Sequence, residues 1–116
     1  MNENRLKKLN KLLSVEIAKL LKSEIEFEIG VIITVTGVKI SSTLEHATIM
    51  ISVLPEDKEK QVFEKIKKEI YFMQQVLNKR LNMRPVPKIR FEVDRTEEKA
   101  IRIEKLLEVK DGESAA

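Results

Sequence analysis

Residues 31–53, VIITVTGVKISSTLEHATIMISV, decide the fold. Apolar side chains occupy alternate positions at Val31, Ile33 and Val35, and the alternation resumes out of phase at Val38 and Ile40, after Gly37. Period two belongs to a strand with one buried face, and a phase change beside a glycine predicts a β-bulge. Ala47, Ile49, Ile51 and Val53 alternate with Thr48, Met50 and Ser52, which predicts a second strand. The link over 41–45 is short and polar, so an antiparallel hairpin is the economical pairing.

Upstream, Leu6, Leu9, Leu13, Ile17, Leu20 and Leu21 follow the 3.6-residue period of an amphipathic helix over residues 4–23. Lys7, Lys8, Lys11, Lys19 and Lys22 fill its other faces. Downstream, Pro55, Glu56 and Asp57 mark a stop and a helix start, with Asp57 as N-cap or first-turn residue. The long helix that follows has the stripe Val62, Ile66, Ile70, Met73, Leu77 and Leu81, with Lys65, Lys68, Gln75 and Lys79 on the far side. RPVP at 84–87 ends it, because proline lacks an amide donor and disfavours helical geometry in its predecessor. Ile89, Phe91 and Val93 alternate as a third strand, and residues 96–109, TEEKAIRIEKLLEV, read as a closing helix capped by Thr96.

That order predicts an α+β fold: a three-stranded sheet with the first and long helices packed on one face. Thr48, Met50 and Ser52 would line the second face, either solvated or partly covered by the last helix. At 116 residues, 42% of them hydrophobic and 35% charged, one soluble domain over residues 1–110 is expected, with a tail over 111–116.

Several functions are disfavoured on composition alone. With no cysteine, disulfides and thiolate metal sites are excluded, and an intracellular setting fits best. MNENRLKKLNKLL has no continuous apolar core for a signal peptide, and no stretch approaches the roughly 20 apolar residues of a membrane span. His46 is the only histidine and reads as a solvated residue of the hairpin turn or strand start. Ser41 and Ser42 lack any signature of a base or oxyanion site, and three glycines do not make a phosphate-cradling loop. No catalytic activity, cofactor, metal or small-molecule substrate is therefore expected.

The net charge of +3 conceals an uneven distribution. Between residues 65 and 90, Lys65, Lys67, Lys68, Lys79, Arg80, Arg84, Lys88 and Arg90 face one acid, Glu69, a local +7. A one-sided cationic segment is the electrostatic footprint of a phosphate-backbone binder, and a solvated helix face is the plainer alternative.

The order αββααβ resembles that of a type II KH domain, and several strings resemble the ribosome-binding factor A family. They are EIAKLLKSEI at 16–25, TVTGVKISSTLEHATIMIS at 34–52, MRPVPKIRFEVD at 83–94 and RIEKLL at 102–107. The second carries a Ser-x-x-Leu-x-x-Ala spacing. The resemblance implies a cytoplasmic, monomeric factor that binds the immature small (30S) ribosomal subunit and its 16S RNA, and assists late processing and maturation. It also implies two helices meeting at an Ala-x-Gly kink, where this chain has Glu69, Ile70 and Tyr71. A kink surviving at 69–72 would carry Phe72 into the core. In a straight helix Phe72 falls about 200° from Ile70, on the basic side, and Tyr71 or Phe72 becomes an exposed base-stacking platform.

RNA-binding residues are expected at Lys65, Lys68, Gln75, Asn78, Lys79, Arg80, Arg84 and Lys88, because phosphates need long cationic or polar side chains on one surface. The competing readings are a protein-interaction module, acting through a sheet edge or the last helix, and a KH-like binder of another RNA.

Overall fold

The computed structural model describes residues 3–96. Along the chain lie α1 (Glu3–Ser23), β1 (Ile32–Ile40), β2 (His46–Leu54), a 3₁₀ turn (Glu56–Lys58), α2 (Glu59–Arg80) and β3 (Lys88–Val93). The closing helix and tail read from the sequence lie outside the described residues, apart from Thr96.

β2 is the middle strand of a β1-β2-β3 sheet. Its inward row, Ala47, Ile49, Ile51 and Val53, is buried, as the alternation predicts. β1 pairs with it antiparallel, whereas β3 pairs parallel, from His46 opposite Lys88 to Ile51 opposite Val93. A parallel neighbour needs a crossover, and α2 supplies it. Leu13, Ile17 and Leu20 from α1 and Val62, Ile66, Met73 and Leu77 from α2 complete one core with that row. Each such aliphatic side chain contributes about 1.5–3 kcal/mol on burial.

The predicted bulge is present. Val35 sits opposite Ile51 and Gly37 opposite Met50, so Thr36 has no partner in the ladder. The extra residue decides which side chains face the helices. Inward positions run Ile33 and Val35, then Val38 and Ile40; without the insertion, Lys39 would point into the core. Gly37 has no left-handed φ and a Cβ there would meet nothing within 4 Å, so the bulge does not depend on missing side-chain volume. Thr36 is instead held from outside the strand: its Oγ1 donates to Asp94 Oδ2 at 2.6 Å.

The hairpin turn explains the Ser-x-x-Leu-x-x-Ala spacing. Ser41 Oγ accepts the backbone N–H groups of Glu45 and His46, both at 3.1 Å, so one hydroxyl satisfies two turn amides. Leu44 adopts φ 63 in the left-handed region, a cost of roughly 1–2 kcal/mol, and packs its side chain against the core. Ala47 is fully buried. His46 is the first, exposed residue of β2.

Several sequence expectations need correction. The region 69–72 contains no helix break: α2 is one helix of 22 residues. Phe72 remains 41% exposed rather than turning inward. Val62, Ile66, Met73 and Leu77 keep a single helical phase, and Glu69 and Tyr71 lack the backbone freedom that favours a sharp bend. The helix also ends before the prolines, because Leu81 turns extended (φ −91, ψ 135) to bury its side chain. Of the two places expected for Asp57, it takes the first turn, of the 3₁₀ segment, and makes no side-chain cap; Lys58 is the N-cap position of α2. Asp94 Oδ1 accepts the Thr96 N–H at 2.9 Å, while the closing helix that Thr96 is expected to cap lies outside the described residues.

β3 is a sheet edge, and Gln74 covers part of it. Its Oε1 accepts the Ile89 N–H at 2.9 Å and its Nε2 donates to the Pro87 carbonyl at 3.1 Å. The side-chain amide thereby replaces a peptide unit of the absent neighbouring strand. Asn78 Oδ1 accepts a further bond from Gln74 Nε2 at 3.1 Å and fixes its orientation.

Two stability measurements test these contacts. Gln74→Ala leaves two edge groups without protein partners and is expected to cost about 1–3 kcal/mol in urea unfolding. Asp94 is held at about 2, below its ordinary 3.8, chiefly by the Thr36 hydroxyl and then by the Thr96 side chain and amide. A depressed carboxyl stabilises the fold fully above 3.8 and loses that contribution as pH falls through about 2. The stability gap between wild type and Asp94→Asn is therefore expected to be constant at neutral pH and to close across that acidic window; a gap that stays constant down to pH 2 contradicts the assignment.

Candidate nucleic-acid interface

With α2 packed by its Val62–Ile66–Met73–Leu77 row, the opposite side of the helix is determined. At about 100° per residue, Lys68, Phe72, Gln75 and Lys79 follow one another at intervals of four, three and four and share a stripe, with Lys65 and Tyr71 beside it. Lys68, Tyr71, Phe72, Gln75 and Lys79 are all exposed. Among the described residues, Lys68, Gln75 and Lys79 have no side-chain partner. Lys65 is 3.8 Å from Glu69, an i,i+4 pair that solvent weakens. The face thus carries cations that are free to meet phosphate.

Of the other expected site residues, Asn78, Arg80 and Arg84 also make side-chain contacts within the fold. Asn78 orients Gln74. Arg80 faces α1, with Nη2 3.4 Å from Glu24 Oε1 and Nη1 3.8 Å from Glu16 Oε2, so it ties the two helices together. Arg84 Nη1 donates to the carbonyls of Leu81 and Met83 at 3.1 and 2.6 Å, satisfying acceptors at the end of α2. Lys88 opens β3: its N–H bonds the Glu45 carbonyl at 2.9 Å, and its side chain is exposed. Of the remaining bases in the segment, Lys67 lines a groove with Phe63, Ile70 and Phe91 on the other flank of α2. Arg90 donates to Thr48 Oγ1 at 2.9 Å on the second sheet face.

Sequence reasoning missed a second basic surface. On α1, Lys8, Leu12, Val15, Lys19 and Lys22 form an exposed stripe, and Lys19, Lys22 and Arg80 line one depression between the helices. Its signal was present in the spacing of the lysines. Summing charge over a contiguous segment hid it, because α1 lies more than 40 residues from the segment counted.

No helix among the described residues is long and apolar enough to cross a membrane.

The family model described as ribosome-binding factor A matches residues 5–107. A ribosome-binding factor A of Prochlorococcus marinus (strain NATL1A) is 38% identical over 97 residues, covering 81% of this chain and 79% of that protein. That of Halothermothrix orenii is 31% identical, covering 99% and 96%. The fold is similar to the crystal structure of ribosome-binding factor A from Thermus thermophilus, with TM-score 0.68 and 18% identity over 78% of this chain and 96% of that one. It is also similar to a homology model of the Thermus thermophilus factor fitted into a cryo-EM map of its complex with 30S, with TM-score 0.57 and 20% identity over 72% and 92%.

The division of labour on α2 predicts a contrast in stability. Arg80→Ala is expected to lower unfolding free energy by about 1 kcal/mol, the scale of two partly exposed ion pairs. Lys79→Ala, one residue earlier, is expected to change it by less than about 0.5 kcal/mol. Equal effects in chemical denaturation would refute the separation of roles.

Proposed function

Because the chain belongs to the ribosome-binding factor A family, we propose that it binds the immature 30S ribosomal subunit and its 16S RNA in the cytoplasm, as a monomeric factor assisting late rRNA processing and subunit maturation. The carrying observation is the family match across residues 5–107. The related Thermus factor fitted into a 30S complex supports the same partner. The reading is of a binding factor, not a catalyst.

The exposed face of α2 is the proposed contact. Lys68 and Lys79, with Lys65 beside them, hold phosphates of the RNA backbone, and Gln75 adds a neutral hydrogen-bonding group between them. Such contacts position an RNA without reading its sequence, and their strength comes from releasing condensed counterions. Lys19 and Lys22 extend the surface across α1. Arg84 and Lys88 stand at its far end, where Arg84 retains its second terminal nitrogen for phosphate. A protein module acting through the β3 edge is the weaker reading, because Gln74 already occupies that edge at Pro87 and Ile89.

Lys68→Glu combined with Lys79→Glu is expected to abolish cosedimentation with small subunits while leaving the circular dichroism spectrum intact. Wild-type binding is expected to fall with salt at a log-log slope of about −2 to −4, as for three to five neutralised phosphates. A flat salt response points to a protein partner. In a depletion strain, precursor 16S RNA is expected to accumulate in the small-subunit fractions of a gradient; normal processing counts against the reading.

A further inference from the structure

The chain contains four phenylalanines, one tyrosine and no tryptophan. Phe27, Phe63 and Phe91 are partly buried against the core. The other two aromatics are neighbours in sequence and lie on the solvent side of α2, Tyr71 at 75% exposure and Phe72 at 41%. Exposed apolar rings on a helix are ordinarily disfavoured by the hydrophobic effect, and nothing in the packing demands these two, since the core row of α2 is complete without them.

Their surroundings indicate what covers them. Lys68 precedes Phe72 by four residues and Lys79 follows it by seven, so the rings stand between two cations that lack partners among the described residues. Over 11 residues a helix rises about 16 Å, which separates those cations by the span of a short stretch of nucleic-acid backbone. A base pair in a duplex hides both faces of each base, whereas an unpaired base offers a π face to an aromatic ring. Cations flanking exposed rings match a strand that presents phosphates and free bases together.

We infer that Tyr71 and Phe72 stack unpaired bases of single-stranded RNA whose phosphates are held by Lys68 and Lys79. This inference rests on the RNA-binding reading of the α2 face and narrows it from RNA in general to an unpaired segment.

The single tyrosine makes the test direct, because with no tryptophan the emission excited beyond the phenylalanine absorption band comes from Tyr71 alone. The full chain is titrated at low salt with a short mixed-sequence RNA single strand and with an RNA duplex of equal length, and binding is followed in parallel by anisotropy of labelled RNA. The single strand is expected to quench the tyrosine emission saturably, and the duplex to leave it nearly unchanged. Phe72→Leu is expected to weaken single-strand binding about fivefold or more, the lower end of one lost stacking contact, with an unaltered salt slope.

Single-strand binding that saturates by anisotropy without any change in emission overturns the inference while leaving phosphate binding by the lysines intact. Equal affinity of Phe72→Leu and wild type for the single strand does the same. If Phe72→Leu lowers cosedimentation with subunits yet leaves oligonucleotide binding unchanged, the rings contact a protein, and the inference fails. Absence of binding to either RNA or subunits removes the parent reading and this one with it.

Discussion

A single unpaired residue in β1 keeps the sheet and the helices in phase. Side chains along a strand alternate strictly, so an inserted residue exchanges inward and outward positions for everything beyond it. Thr36 is that residue, and its insertion turns Val38 and Ile40 toward the helices and Lys39 toward solvent. The same threonine donates to Asp94, which accepts the Thr96 amide with its other oxygen, while the Asp94 N–H bonds the Ile51 carbonyl at 2.7 Å. The irregularity in β1, the middle of β2 and the end of β3 are thereby held in one network. A charged acceptor forms stronger hydrogen bonds than a neutral one, and this is also why its carboxyl titrates low.

Core packing then decides which cations of α2 are available. The helix presents one row to the sheet, and its two flanks have different neighbours. On the flank beside β3, Gln74 and Asn78 are consumed in covering the sheet edge. At the end nearest α1, Arg80 is drawn to Glu16 and Glu24. The side opposite the core row keeps Lys68, Tyr71, Phe72, Gln75 and Lys79 for solvent. A segment with a local charge of +7 thus yields a smaller functional face than its composition suggests, and an aromatic one.

The strings that resemble the family coincide with backbone features that few side chains can satisfy. Ser41 closes the hairpin, Leu44 holds a left-handed backbone while packing inward, and Ala47 leaves room where the sheet meets the helices. The absent Ala-x-Gly at 69–71 fits the same pattern. A helix that continues unbroken through these positions does not require small residues there, and they carry a glutamate and a tyrosine.

Local periodicity was enough to read the two helices, all three strands, the bulge and the inward rows, because each reflects the fixed geometry of a single element. It also marked Phe72 as lying on the basic side of a straight helix. It could not foresee that Arg80 would tie the two helices together, that Gln74 would cover a sheet edge, or that Asp94 would hold the unpaired Thr36. Those assignments depend on partners brought near only by folding: Arg80 meets Glu24 across 56 residues and Thr36 meets Asp94 across 58. The sequence by itself determined which face each element buries, since hydrophobic burial acts on a pattern repeated along the chain. Only the tertiary structure decided which polar side chains stay free, because a hydrogen bond or ion pair needs one particular partner within about 3 Å.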